Sequence, residues 1–248
     1  MKKKYLVLGA GLIIIVTAVL VVKRDTDANT IPNVIKPSPV YADVPNGTVL
    51  YDNINGNAIN VILSGSKVEI LKDKSTQWYW VRYKNRLGWV KGESLKIPAD
   101  RQTNTAQLSE YVILDYANKA FESSTKHFVW VDIDRQRVYV LYGKKGNWQL
   151  EKTIICATGV NKSPTTRGTF EISDKGTWFY SDRLKSGAMY WSRFNGSYLF
   201  HSVAMDKDKN ITDNILGKRR SSGCVRMSVD DAKWFFENIE AGTKVWIY

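Results

Sequence analysis

The residues whose side chains are best suited to chemistry lie near the C-terminal end of the chain, at the two ends of a polar, charged segment. The sequence has only two His and two Cys, and one of each, His201 and Cys224, bounds this segment. A free thiol titrates near pH ~8.5, and a neighbouring imidazole can lower that pKa and produce the reactive thiolate. We therefore interpret Cys224 as a nucleophile and His201 as its base.

The neighbours of Cys224 fit the same chemistry. Gly223 removes a side chain just before the sulfur, so a substrate carbonyl can approach the backbone closely. The N–H groups of Gly223 and Cys224 are candidate oxyanion donors, each typically worth roughly 3–4 kcal/mol. Arg226 offers a guanidinium that can hold a carboxylate through two hydrogen bonds. The alternative is structural, since a lone Cys is more often a small buried hydrophobe and a lone His a structural residue.

The segment resembles the signature of the L,D-transpeptidase catalytic domain, a family of cysteine enzymes that crosslink peptidoglycan. That signature is a His on a strand, a variable loop, and then Ser-His-Gly-Cys-hydrophobic-Arg. The matching residues here are His201, Ser221, Gly223, Cys224, Val225 and Arg226. Ser222 departs from the pattern, because the family usually has a second His there. The resemblance covers roughly residues 109–248.

The resemblance implies a role for each matched residue. His201 is the general base, and the backbone carbonyl of Ser202 orients its imidazole, which makes Ser202 the third catalytic member. Cys224 attacks a peptidoglycan tetrapeptide stem before its terminal D-residue, and the amine of a neighbouring stem takes the acyl group. Carbapenems are expected to acylate the same sulfur. Arg226 orients the loop or a substrate carboxylate, with Ser221 and Ser222 beside it.

Two further segments are expected to border the cleft. Residues 176–194 are rich in Trp, Tyr and Gly and predict a lid, because loops of this kind often close over substrate; an ordinary hairpin is the alternative. Tyr190 and Trp191 are its candidate substrate contacts. Residues 163–170 resemble the family's Thr-Pro-x-Gly-x-Phe stretch, with Thr166 in place of the proline, and are expected to form one wall.

The remaining Cys and His carry no predicted chemistry. Cys156 lies within an apolar strand and is interpreted as a buried structural thiol, whereas a disulfide from it to Cys224 would block the reaction. His127 opens its strand with no Cys or acid beside it in sequence, so we assign it no role. Two His without a Cys-x-x-Cys or His-Glu-x-x-His motif argue against a zinc site. We expect no metal and no cofactor.

The start of the chain predicts a membrane anchor. A basic start precedes Tyr5 to Val22, an uncharged apolar run long enough for a helix of roughly 27 Å, close to a bilayer core of ~30 Å. No small-x-small cleavage site follows, so we predict an uncleaved signal anchor over residues 1–24. The basic start keeps the N-terminus in the cytoplasm. The expected location is therefore the cell membrane, with a single pass and an extracellular catalytic domain facing the cell wall.

The rest of the chain divides into four predicted parts. Residues 25–40 contain three prolines and predict a tether. Residues 41–97 show short alternating apolar runs and resemble a bacterial Src-homology-3-like β-barrel, which usually contacts the cell wall; the alternative is a rigid spacer with its Trp residues in the core. Residues 98–108 predict a linker. Residues 109–248 are the predicted catalytic domain, beginning with a helix over 109–121.

The predicted fold class is mainly β. It comprises an N-terminal transmembrane helix, a small Src-homology-3-like barrel, and a β-rich L,D-transpeptidase catalytic domain with a few helices. The formal net charge of +12, spread over the whole chain, predicts an anionic partner. The secretory interpretation favours anionic cell-wall polymers, beside the peptidoglycan stem peptides, over nucleic acid. We therefore expect no nucleic-acid partner.

Three other functions compete with a transpeptidase. A cysteine peptidase of the cell-wall hydrolase type places its Cys before its His, and no His follows Cys224. A sortase-like transpeptidase places its His first but needs a Thr-x-Thr-Cys-like strand and an Arg further along the chain. A non-catalytic, membrane-tethered wall-binding protein would tolerate Cys224→Ala without losing any crosslinking activity.

Overall fold

Residues 34–248 are described in a computed structural model. An antiparallel sheet of six strands, in the order β1-β4-β5-β6-β2-β3, forms the N-terminal part. Its strands are β1 (Val40–Val44), β2 (Thr48–Tyr51), β3 (Ala58–Ile62), β4 (Ser66–Lys74), β5 (Trp78–Tyr83) and β6 (Arg86–Lys91). Alternating apolar residues of these strands, including Leu50, Val68 and Val81, enclose a core of their own. Assignment of this sheet to a Src-homology-3-like barrel stays a prediction.

Helix α1 (Glu110–Ala120) opens the C-terminal part and is followed by the second sheet. The strands of that sheet, in the order β10-β17-β7-β8-β9, are β7 (His127–Asp132), β8 (Arg137–Lys144), β9 (Asn147–Ile155), β10 (Gly168–Glu171) and β17 (Lys244–Ile247). The predicted helix near 109–121 is confirmed as α1. Ser109 caps it by accepting a hydrogen bond from the N–H of Val112.

The third sheet contains the segment between His201 and Cys224. Its path is β15-β14-β12-β13-β16, and β11 pairs with β12 beside that path. The strands are β11 (Lys175–Ser181), β12 (Ser186–Asn195), β13 (Tyr198–Ser202), β14 (Ala204–Met205), β15 (Ile211–Asp213) and β16 (Val225–Met227). Helix α2 (Val229–Asn238) follows, with Ser228 accepting from the N–H of Asp231 as the capping pattern predicts.

One core joins the second and third sheets through α2. Val129 and Val140 of the second sheet, Phe200 and Met227 of the third, and Phe235 of α2 are all fully or almost fully buried in it. Phe200 and Phe235 stack with ring centroids 4.6 Å apart. Because β13 and β16 are each buried on one side by this core, their other sides are fixed as the outward surface.

The predicted single-pass membrane location is corrected. The longest helix that the structure describes, α1, has 11 residues and is roughly 16 Å long, about half of a bilayer core. In the described range, 34–248, no helix is both long and apolar enough to cross a membrane. The apolar run from Tyr5 to Val22, on which the prediction rested, lies outside the described residues.

Candidate active site

Parallel pairing of β13 with β16 brings the predicted catalytic residues to one surface. In this pairing His201 is opposite Arg226, and Phe200 and Ser202 are opposite Val225 and Met227. Side chains alternate between the two faces of a strand. Phe200, Val225 and Met227 point into the core. His201 and Arg226 therefore point together toward the opposite face of the sheet. Cys224 immediately precedes β16, two residues before Arg226, and therefore shares their face.

A tight turn presents the sulfur. Gly223 has a φ of 105°, in the left-handed region that glycine adopts without strain. A Cβ on this residue would clash with the ring of Tyr198. The hydroxyl of Ser221 donates to the carbonyl of Cys224 and accepts from the N–H of Gly223 at 3.1 Å. The turn is thus held by Ser221, and the N–H that was expected to face an oxyanion already has an acceptor.

The imidazole of His201 is oriented by the main chain. Nδ1 lies 2.6 Å from the carbonyl oxygen of Ser202, and the Phe179 ring makes a T-shaped contact with the imidazole, with ring centroids 5.4 Å apart. A carbonyl only accepts, so Nδ1 carries a proton and Nε2 is the basic nitrogen. Burial lowers the pKa of His201 to about 4, opposed by the hydrogen bond to Ser202 and aided by the charge of Arg226. The ring is therefore neutral at pH 7.

The thiol of Cys224 differs from the sequence-based expectation. Burial raises its pKa to about 11, although the backbone of Leu199 and the charges of Arg226 and Arg193 act in the opposite direction. Sγ lies 3.7 Å from the carbonyl oxygen of Ser197. The expected lowering of the thiol pKa by His201 is wrong for the resting site, because the neutral imidazole supplies no positive charge. Both partners are therefore neutral in the resting site at pH 7.

A cleft of about 370 Å³ opens in front of these residues. His201, Cys224 and Arg226 line it with Ser221 and Ser222, and Trp191 borders it from β12. Arg183 and Arg193 line it as well. Three guanidinium groups around one sulfur make the cleft attractive to carboxylates.

Two carboxylates fix the orientation of three arginines. The carboxylate of Asp213 lies 3.0 Å from Arg226 and 2.8 Å from Arg220. Burial alone would raise the pKa of Asp213, but hydrogen bonds from Arg220 and the N–H of Ile215, with the charges of Arg220 and Arg226, hold that pKa below its usual range. Arg193 pairs with Asp174 at 2.6 Å and lies over the Trp191 ring. Arg226 is thus held at the floor of the cleft, although its Nε is buried without a hydrogen-bond partner.

Comparison with known proteins agrees with this geometry. The family model described as YkuD, the L,D-transpeptidase catalytic domain, matches residues 126–247. Residues 126–247 are thus similar to the L,D-transpeptidase catalytic domain. YciB of Bacillus subtilis (strain 168), provisionally named an L,D-transpeptidase, is 36% identical over 131 residues, which cover 48% of this chain and 65% of YciB.

Solved structures give partial matches. A Clostridium acetobutylicum ATCC 824 protein, described as a fused Zn-dependent amidase, peptidase and peptidoglycan-binding protein, is 31% identical, with 59% of this chain and 66% of that chain covered and a TM-score of 0.49. An L,D-transpeptidase from Stackebrandtia nassauensis is 24% identical, with 53% and 59% covered and a TM-score of 0.42. The chain spans less than two thirds of each of these relatives, YciB included.

Residues 176–194, the predicted lid, form most of the β11–β12 hairpin, and its closure over substrate stays a prediction. Of its two candidate contacts, Trp191 reaches the cleft. Tyr190 does not line the cleft: it packs against the core and the ring of Phe236, at a φ of 55°. Neighbouring strand residues point to opposite sides of the hairpin, which explains why only one of this pair faces the substrate.

The other thiol and the other imidazole of the chain are structural. Both cysteines are free, and Cys156 is fully buried in the core that joins the second and third sheets, where burial raises its pKa far above the usual range. His127, which had no acid beside it in sequence, lies between Glu240 at 2.7 Å and Glu151 at 3.0 Å. These carboxylates come from distant parts of the chain, so the local sequence gave no signal of the contact.

Proposed function

We propose that this chain is a peptidoglycan L,D-transpeptidase in which Cys224 is the nucleophile and His201 the general base. The observation that carries the proposal is the parallel register of β13 and β16, which puts a buried, oriented imidazole and a thiol on the same wall of one cleft. The family match over residues 126–247 supports the same reaction. The substrates are then the stem peptides of peptidoglycan.

The first half-reaction forms an acyl-enzyme. His201 Nε2 takes the proton of the Cys224 thiol as the sulfur attacks the carbonyl before the terminal D-residue of a tetrapeptide stem. A C–S bond forms, the C–N bond breaks, and the proton passes from His201 to the departing amine. The high pKa of the resting thiol means that this proton is removed in the presence of substrate.

The second half-reaction transfers the acyl group. The amine of a neighbouring stem attacks the thioester, a new C–N bond forms, and the C–S bond breaks. The proton lost by that amine passes through His201 Nε2 back to Cys224. Ser202 acts through its carbonyl, which holds the imidazole in the same tautomer for both steps.

The oxyanion and the substrate carboxylate are assigned to different parts of the turn. The N–H of Cys224 is the proposed oxyanion donor, and the N–H of Gly223 joins it only if it exchanges its present acceptor, Ser221. Arg226 is proposed to hold a carboxylate of the stem, with Ser221, Ser222 and Trp191 as flanking contacts. These assignments rest on which residues line the cleft.

The domain plan belongs to the same proposal. Residues 109–248 form the catalytic domain, residues 98–108 the linker, and residues 41–97 a Src-homology-3-like barrel. Anionic cell-wall polymers are the proposed partners of the remaining basic surface, consistent with the net charge of +12.

The test is incubation of the purified chain with disaccharide-tetrapeptide fragments of peptidoglycan, followed by separation and mass analysis of the products. We expect a crosslinked dimer and a free D-amino acid from the wild type, and neither from Cys224→Ala or His201→Ala. A wild-type chain that binds these fragments without forming dimer or releasing the D-amino acid would instead support the non-catalytic wall-binding function.

A further inference from the structure

The N-terminal sheet holds a segment that adjoins the active site, residues 160–167, here called the wall segment. The hydroxyl of Tyr79, on β5, donates to the carbonyl of Lys162 at 2.9 Å. The hydroxyl of Ser163 donates to the carboxylate of Asp73, on β4, at 2.6 Å. Two successive residues of the wall segment are thus bonded to two neighbouring strands of the N-terminal sheet.

A buried ion pair adds a third connection. The carboxylate of Glu69, on β4, is 6% exposed and pairs with Arg167 at the end of the wall segment. Its second oxygen pairs with Arg82 at 2.6 Å. A buried carboxylate with a guanidinium on each oxygen is held in one position, and Glu69 therefore also holds Arg167 in position.

On its other side the wall segment touches the catalytic turn. The N–H of Val160 donates to the carbonyl of Ser221 at 3.0 Å, and Gly159 forms a β-bridge with Ser221. The carbonyl of Pro164 is 3.5 Å from the position of a Cβ on Gly223. Ser221 in turn holds both ends of the turn that carries Cys224.

We propose that Asp73, Tyr79 and Glu69 are positioning residues of the transpeptidase reaction, which fix the catalytic turn by clamping the wall segment from the N-terminal sheet. This inference rests on the proposed function. None of the three lines the cleft, so they act through Lys162, Ser163 and Arg167. Loss of the clamp lets the turn shift, and a shift of about 1 Å at a reacting atom can cost up to ~100-fold in rate.

The sharpest test removes one hydroxyl. Tyr79→Phe keeps the buried ring and deletes only the bond to Lys162. Tyr83→Phe is the matched control, because Tyr83 is buried in the same core and its hydroxyl meets Ser66 of the same sheet at 3.3 Å. We expect kcat for dimer formation to fall roughly 3- to 10-fold in Tyr79→Phe, as for loss of one hydrogen bond. KM should stay within about twofold, and Tyr83→Phe should match wild type.

A charge variant tests the second contact. Asp73→Asn keeps the shape but weakens the acceptor for Ser163, and Asp43→Asn is its control, because Asp43 pairs with the exposed Lys67 of the same sheet at 3.0 Å. We expect a fall in kcat of roughly tenfold for Asp73→Asn and less than about twofold for Asp43→Asn. Thermal unfolding of all four variants shows whether the fold is retained.

Alkylation of Cys224 by iodoacetamide separates this inference from the function it rests on, because the reagent needs no stem peptide. The pH profile of alkylation should change in Tyr79→Phe and Asp73→Asn and stay unchanged in the controls, whether or not dimers form. Equal kcat values and equal alkylation profiles for Tyr79→Phe and Tyr83→Phe in folded protein would overturn the inference.

Discussion

The Nδ1 atom of His201 lies 2.6 Å from the carbonyl oxygen of its own neighbour, Ser202. The contact fixes one tautomer and leaves Nε2 as the base. Together with the burial that holds the pKa of His201 at about 4 and that of Cys224 at about 11, it describes a resting site in which the proton stays on sulfur. The predictions that follow test this arrangement.

Alkylation of Cys224 should rise steeply between pH 8 and 10 with no plateau near neutrality. Thiolate is the reactive form, and a pKa of about 11 leaves little of it at pH 7. Cys156 should react only after unfolding, because it is fully buried. Mass analysis of iodoacetamide-treated protein across this pH range checks both statements. A plateau by pH 7 would instead indicate a thiolate–imidazolium pair in the resting site.

Stability at acid pH should depend on His201. Its pKa is about 4 in the folded chain, against 6.5 for an ordinary imidazole. Between these values the unfolded chain binds more protons, so the free energy of unfolding falls as the pH drops from 6.5 to 4. From pH 7 to 4.5, urea unfolding should show the wild type losing about 2 kcal/mol more than His201→Gln. Equal losses would mean that this imidazole is solvated.

Gly223→Ala should abolish activity and destabilise the fold. The added Cβ would clash with the ring of Tyr198, and the φ of 105° is strained for any residue with a side chain. Gly217→Ala is the control, because Gly217 also has a positive φ, 79°, but has room for a Cβ. Urea unfolding should show a loss of about 2–4 kcal/mol for the first and about 1 kcal/mol for the second. Equal losses would show that the φ angle, and not the ring, decides the effect.

Arg226→Lys should lower kcat/KM for stem peptides by roughly tenfold, because an ammonium cannot make the two-pronged contact of a guanidinium. Arg220→Lys is its control: Arg220 shares the carboxylate of Asp213 but does not line the cleft. That variant should stay within about twofold of wild type, as for an exposed ion pair. Steady-state kinetics on the same stem peptide compare the two. A similar loss in both variants would place the role of Arg226 in its ion pair with Asp213.

The sequence alone predicted the features that a motif or a local pattern encodes. The signature around His201 and Cys224, the helix near 109–121 and the alternation of the strands are each predicted from a motif or a local pattern, and the structure has the corresponding elements. Trp191 lines the cleft, and its contact with substrate stays a prediction.

What the sequence missed depends on contacts between distant residues. The two acids around His127 are 24 and 113 positions away from it, and the clamp from Asp73 to Ser163 joins residues 90 positions apart. The pKa of Cys224 was misjudged because it is raised by burial, which no local motif encodes. The orientation of Tyr190 was missed because an aromatic-rich composition does not show which side chains point toward the cleft.

The most direct measurement of the central claim is the mass of the protein after brief exposure to a disaccharide-tetrapeptide without an acceptor amine, with peptide mapping of the modified residue. We predict one acyl group per chain, on Cys224, in the wild type and none in His201→Ala. An acyl group on another residue, or a wild-type chain that stays unmodified here and yet forms dimers once an acceptor amine is supplied, would contradict the claim that this thiol and this imidazole carry out the reaction.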